Sequence, residues 1–373
     1  VHKKSFYLFC AAFLATSFGV ATIAPLVPSI ANEFAVNPLY MAHLSWWYML
    51  PYGIGALIWA PLTRVVTVRT IFNFTAVAFS LAELFFSFAK TPAQAFLGQA
   101  LIGIFSSSFM PLALIVIGRE VAPKEKGKHV GILFGLAYVS SFIGVTLSGF
   151  MSWRIVYLVP AAIGFITFIF SFHHLEQFDF RQKGFELTYH KTCCEKQALF
   201  LFIFIFLASF AYHSLQQLLG VYLNQTFCLK QAVLSSIFVV ATSCSIIFQF
   251  AGGLLTKKIA NIELARIGFV LLGIFSLLLL VVSDYRWMFL LMIIWGTGWA
   301  LNHIGLSSYL THLPDKILRD AASLNSSIRF VSGGLGVLSA STIIEKFGFK
   351  AHFICVAITT FVLSFFVNKV LKS

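Results

Sequence analysis

Long apolar stretches broken by short polar ones dominate this chain. Residues 5–32 contain no Asp, Glu, Lys or Arg, and neither do 34–63, 129–153, 197–229, 231–256 and 287–314. A helix needs about 20 apolar residues to cross a bilayer, so each run is long enough to cross at least once. The pattern predicts twelve membrane helices, at 6–29, 40–62, 71–89, 94–117, 129–151, 154–172, 197–219, 233–255, 264–283, 287–311, 320–343 and 350–369. The longest polar interruption runs from His173 to Gln197 and carries four basic and four acidic residues. It has 172 residues on one side and 176 on the other, both very apolar. The expected organisation is therefore an amino-terminal six-helix bundle at 1–172, a linker at 173–197 and a carboxy-terminal six-helix bundle at 198–373.

Composition agrees with a membrane-embedded, all-α class. Of 373 residues, 59% are hydrophobic and only 10% charged, where a soluble domain has about 25% charged residues. Too few polar groups remain to cover a water-facing surface. The net charge of +13 would suit nucleic acid, but its placement suggests otherwise. Nineteen Lys and Arg fall on the side of the predicted helices that holds both termini, six on the opposite side, and Arg329 inside a span. Basic residues collect on the cytoplasmic face. Both termini and the linker are thus expected in the cytoplasm of a multi-pass inner-membrane protein, with the lipid bilayer and no nucleic acid as partner. No cleavable signal is expected, because the first apolar run is too long and lacks a small-residue cleavage site.

The two halves echo each other. After the second predicted helix come Gly55, then Pro61, Arg64 and Arg69; after the eighth come Gly252, Gly253, Lys257, Lys258 and Arg266. Each is a basic turn preceded by glycine, at the same place in its half. Parallel six-helix repeats about a polar hinge describe a transporter architecture.

These features resemble the major facilitator superfamily, in particular its twelve-helix efflux branch of drug:proton antiporters. Ala24 to Phe34 is similar to the end of the first helix in that branch. Gly55 to Arg69 stands where the helix 2–3 signature lies, and Gln99 to Gly103 where the fourth helix has Arg followed four residues later by Gly. Trp153 to Pro160 resembles the entry to the sixth helix, and 295–348 the tenth and eleventh helices. There are departures. Thr63 and Val66 stand near the places of the signature's acidic residue and glycine, Gln99 replaces the arginine, and no proline accompanies Gly149. The resemblance implies a small-molecule exporter working by alternating access, coupled to protons. It also makes Gly55, Arg64, Arg69, Gly253 and Lys257 candidates for the loops that move.

No enzyme constellation is present. There is no phosphate-binding G-x-x-x-x-G-K-[ST], no G-x-S-x-G and no H-E-x-x-H. Six scattered Cys form no metal-ligand pattern, although Cys193 and Cys194 adjoin in the linker. No catalytic residue, metal or cofactor is expected, and the protein is read as a monomer.

Ionisable groups inside a membrane are costly, so each is a candidate for function. Arg329 is foremost. Asn325, Arg329, Gly333 and Gly336 share one helix face, and a permanent charge there needs an anion or water; the plainer alternative is an Arg that snorkels to the surface. Trp295, Trp299 and Asn302 share a face of the tenth helix, with His303 one turn from Trp299. Aromatic and polar groups together suit an amphiphilic solute. His213, beside Gln216 and Gln217, titrates near neutrality and is a candidate proton carrier with His303; a solvated His near the outer end is the alternative. Gln99 begins a narrow stripe with Gly103, Ser106, Ser107 and Met110, suited to close packing or to a cavity wall. Glu83 is the sole carboxylate well inside a span; pairing with Lys90 or solvation in the outer loop is the expectation for it, and proton coupling the alternative.

The reading is a secondary transporter that exports a small organic solute. A metabolite or siderophore carrier in either direction, or a non-transporting sensor of the same fold, are the alternatives.

Overall fold

The computed structural model describes residues 3–181, 189–310, 313 and 315–371. The part of the expected linker at 182–188, and Lys372 in the charge count, lie outside them. The amino-terminal half comprises α1 (Lys3–Glu33), α2 (Pro38–Met41), α3 (Leu44–Leu62), α4 (Val68–Ser87), α5 (Pro92–Ser106), α6 (Phe109–Glu120), α7 (Pro123–Leu147) and α8 (Trp153–His174). A short α9 (Tyr189–Cys193) sits in the linker. The second half comprises α10 (Lys196–Phe227), α11 (Gln231–Lys258), α12 (Asn261–Leu278), α13 (Arg286–Leu310) and α14 (Asp315–Leu371).

Ten of these stretches are long and apolar enough to cross a membrane. Together with α3, they account for the twelve expected helices as follows. α14 is continuous in hydrogen bonding but bends at Gly348, whose φ of 79° is left-handed, so it supplies the last two. A residue with a side chain is strained in that conformation. α5 and α6 together form the fourth span, interrupted at Ser107 and Ser108. α3 covers the second expected span with 19 residues that include Pro51 and Pro61.

Local chemistry sets the helix starts. The Thr67, Thr91 and Ser152 hydroxyls accept from the backbone N–H three residues on, in the manner of N-caps. Pro92 and Pro123 open α5 and α7, where a missing N–H costs nothing. Across the linker, α8 runs to His174 and α10 begins at Lys196. There Arg181 grips Asp179 and holds its carboxyl below the usual range.

In the first half, α1 packs on α7 and α8, α3 on α5, and α4 on α5 and α8. In the second, α12 packs on α13 and α14, α11 on α13, and α10 on α14. Three equivalent pairs join the halves: α1 with α10, α7 with α11, and α3 with the first part of α14. At the end away from the termini, hydrogen bonds also join the halves across α3–α10, α11–α1 and α7–α11. Ser45 donates to Gln217 Oε1 at 2.9 Å, Gln231 Nε2 donates to the Pro25 carbonyl at 3.0 Å, and Ser148 and Ser235 share a bond of 2.9 Å. The helices nearly touch at Gly220, where a Cβ would stand 2.1 Å from the Ala24 carbonyl oxygen.

Candidate functional site

Arg329 lies on α14 and is 7% exposed. Its Nε donates to Asn325 Oδ1 at 3.0 Å, one turn earlier, and Nη2 to Ser307 Oγ on α13 at 3.2 Å. Nη1 is buried and has no partner. The snorkelling alternative therefore fails: the guanidinium is inside the protein and one of its donor groups is unused. No acidic side chain appears among its hydrogen-bond partners among the described residues.

Aromatic and polar groups gather around this charge. The Tyr212 ring of α10 stacks on Trp299 of α13 at 3.6 Å between centroids and 12° between planes. His213 and His303 each lie edge-on or tilted to Trp299 at 5.7 Å. Gln249 of α11 donates through Nε2 to Tyr138 Oη of α7 at 2.8 Å and meets His303 Nδ1 at 3.1 Å. With the amide nitrogen as donor, Nδ1 is the acceptor, which assigns the ring proton of His303 to Nε2. His213 Nδ1 contacts Gln216 Oε1 at 3.1 Å, and its ring packs against the Cα of Gly333. His213 is partly buried in this cluster. Tyr138 and Gln249 bind α7 to α11, so the group spans both halves.

The other candidates divide. Asn325, His213, His303 and Trp299 join Arg329. Trp295 is 2% exposed and wedged between Tyr212 and Phe275, one ring further from the charge. Asn302 turns the other way: its Nδ2 donates to the Ala265 carbonyl on α12 at 3.3 Å, where Gly268 admits it. Gln217 belongs to the contact with Ser45 at the end away from the termini. Gln99 is buried in the first half, and Gly103 of its stripe serves close packing: a Cβ there would lie 2.3 Å from the Tyr48 carbonyl.

Among the loop candidates, Gly55 lets α3 meet the break between α5 and α6, where Trp59 Nε1 donates to the Ile104 carbonyl at 2.8 Å. Arg69 donates to the Phe172 carbonyl at the end of α8. Arg64 follows the end of α3 in the α3–α4 turn, Gly253 falls within α11 and Lys257 is exposed in its last turn.

Glu83 overturns its expectation. It is fully buried on α4, and neither carboxylate oxygen has a partner, so it pairs with neither Lys90 nor solvent. Beyond the end of α4, Arg154 pairs with Glu33 at 2.7 Å and donates to the Ser87 and Ala89 carbonyls. Tyr138, Tyr212 and Gln249 were missed because a lone polar or aromatic residue in an apolar run gives no sign of its face. Their only signal was polarity inside uncharged runs.

The sequence profile described as Major Facilitator Superfamily matches residues 8–337. Multidrug resistance protein 1 of Bacillus subtilis (strain 168) is 22% identical over 340 residues, covering 85% of this chain and 84% of its own length. An ascochitine biosynthesis cluster MFS transporter of Didymella fabae is 23% identical over 163 residues, and that match spans 41% of this chain and 32% of the relative. Among solved structures, the human organic anion transporter MFSD10 (TETRAN) superposes with a TM-score of 0.79 at 12% identity, over 98% of this chain and 99% of the other. A point mutant of the nucleoside transporter NupG gives 0.75 at 14% identity, over 99% and 100%. At these identities the structural likeness speaks for the fold.

Proposed function

Because the chain belongs to the Major Facilitator Superfamily, and is thus a multi-pass membrane transporter and no enzyme, we propose that it exports a small aromatic or amphiphilic organic anion across the cytoplasmic membrane by alternating access, in exchange for protons. The observation that carries the reading is the unpartnered Nη1 of Arg329, within electrostatic range of His213 and His303, the two imidazoles that flank Trp299 of the Tyr212–Trp299 stack. A buried guanidinium is tolerated only when its donors are met. Nη2 and Nε have neutral acceptors, which leave the positive charge uncompensated. A carboxylate or sulfonate on a solute would supply the missing acceptor and the missing charge together. The stacked rings offer a flat apolar wall for the rest of the solute.

Export is supported by the Bacillus relative's name, and an anionic cargo by the name of the human structural neighbour. The nineteen-to-six asymmetry of basic residues favours cytoplasmic termini. With that orientation the hydrogen bonds Ser45–Gln217, Gln231–Pro25 and Ser148–Ser235 lie on the outer face and must break for the site to open outward. The chemistry is positional. Arg329 holds the anion, Asn325 and Ser307 hold Arg329, and Tyr138–Gln249–His303 ties the site to the facing half.

The test is uptake into proteoliposomes of a matched pair of probes, 2-naphthoate and 2-naphthylmethylamine. The proposal predicts saturable flux of the carboxylate, little of the amine, and loss of flux in Arg329→Ala at equal protein content. Equal flux of both probes, or wild-type flux in Arg329→Ala, contradicts it.

A further inference from the structure

The polar cluster on the other side of the molecule has no part in holding the solute. Glu83 of α4 and Gln99 of α5 are 0% and 1% exposed. Both carboxylate oxygens of Glu83 and the Nε2 of Gln99 lack a hydrogen-bond partner. Around them the Tyr157 hydroxyl of α8 donates to the Gly19 carbonyl of α1 at 3.3 Å, and Thr22 Oγ1 donates to the same oxygen at 2.8 Å. A Cβ at Gly19 would lie 3.4 Å from Glu83 Oε1 and 3.7 Å from the Tyr157 ring, so these share one small space, where Tyr157 also meets Thr22 and Gln99. Tyr48 of α3, bonded to Ser106 at 3.3 Å, completes the group.

We infer that Glu83, set among Gln99, Tyr157 and Tyr48, is a proton-binding site in the amino-terminal half, separate from the Arg329 site. An unpaired carboxylate in this position is costly, and a buried acid with no basic partner is stable only when a cation joins it. The groups facing it fix which cation. α8 presents Tyr157 and α3 presents Tyr48, both neutral phenols; α5 presents Gln99; α1 presents Gly19 and Thr22; α6 touches α4 through Ser108 and Thr75. Arg154 lies a turn further out and is held by Glu33 and two carbonyls. A metal cation needs several convergent oxygens and room for them, whereas a proton needs one carboxylate oxygen.

The cluster also reaches the other half. The Tyr48 and Tyr52 rings contact Phe330 at 6.2 and 3.8 Å, and Phe330 is the neighbour of Arg329 on α14. A change of charge at Glu83 is thus one ring away from the helix that carries the solute site.

The inference rests on the transport reading for what the proton drives, but the site itself can be tested without transport. The purified protein is titrated while the infrared carbonyl band of protonated carboxylic acids is followed. The expected result is a titrating band in the wild type that Glu83→Gln lacks and that His213→Gln retains, with about one proton fewer taken up by Glu83→Gln in potentiometric titration. An identical band in Glu83→Gln overturns the inference. Glu83→Asp guards against a folding defect: it should keep a band, shifted in frequency, and its absence from a folded Asp variant also counts against the site. Naphthoate flux then separates the two readings. Wild-type protein with the band but no flux under any gradient defeats the transport reading and leaves the proton site standing. Gradient-driven flux retained in Glu83→Gln defeats the role of Glu83 in coupling.

Discussion

The two halves share a fold but carry opposite charges at their centres. The first half buries one acid, Glu83, among phenols and an amide, with no base near it. Among the described residues, the second buries one base, Arg329, beside an asparagine and a serine, with no acid among its hydrogen-bond partners. If the two were there for stability they would face each other, since a buried pair costs less than two separate charges. They are kept apart, each with unmet valence. Such an arrangement suits two different ligands, a proton in one half and an anion in the other, with α3 and α14 as the contact between them.

The most drastic way to break this comparison is to stop the halves moving. Ser148 and Ser235 lie with their oxygens 2.9 Å apart across α7 and α11. The pair Ser148→Cys with Ser235→Cys should form a disulfide under oxidation and reduce naphthoate flux to background, with recovery on reduction. Full flux in the cross-linked protein would mean that these ends need not part.

Next in size is Arg329. Truncating one partner of a buried charged contact costs about 2–5 kcal/mol, so Arg329→Ala should weaken naphthoate binding by about 30-fold or more. Arg329→Lys keeps the charge but loses the planar fork, and should fall between the two. Equilibrium quenching of tryptophan fluorescence measures both. A smaller loss in Ala than in Lys would contradict a direct contact.

A more moderate effect is expected at Gly220. Its Cα faces the Ala24 carbonyl, and an added methyl would sit 2.1 Å from that oxygen. Overpacking costs about 1–3 kcal/mol. Gly220→Ala should therefore disfavour the state in which α1 and α10 touch, and increase labelling by water-soluble maleimide of a Cys placed at Ser45. Unchanged labelling would show that the helices adjust locally. The smallest effect is expected from Trp299→Leu. Aromatic pairs contribute about 0.5–1.5 kcal/mol beyond area, so naphthoate should bind about 3- to 10-fold more weakly, while its aliphatic analogue cyclohexanecarboxylate should change less.

The helices themselves were legible because hydrocarbon demands long uncharged runs, and the bend at Gly348 falls in the gap expected between 343 and 350. The faces of those helices were not. On α4, Phe72, Phe79 and Phe86 are buried while Phe74, Leu81 and Phe85 are exposed, and both sides are equally apolar. Lipid is as apolar as a core, so the pattern that orients a helix in water is lost here. Glu83 was visible as the odd residue of its span, yet its direction could not be read, and an outer-loop partner was the wrong expectation. Arg329 fared better because Asn325 and the glycines marked its side of the helix. Asn302 shows the limit of such marking. It lies three residues from Trp299, but α12 approaches at Gly268 and draws the amide to the Ala265 carbonyl.

The claim that a proton in one half controls an anion in the other is tested most directly by the pH dependence of naphthoate binding to purified protein. The probe stays ionised from mildly acidic to alkaline pH, so any slope belongs to the protein. For exchange of solute against protons, protonation must weaken solute binding, and by reciprocity solute must weaken proton binding. Wild-type affinity should thus rise with pH, and Glu83→Gln should bind naphthoate with no such slope. A slope that persists unchanged in Glu83→Gln would contradict the account.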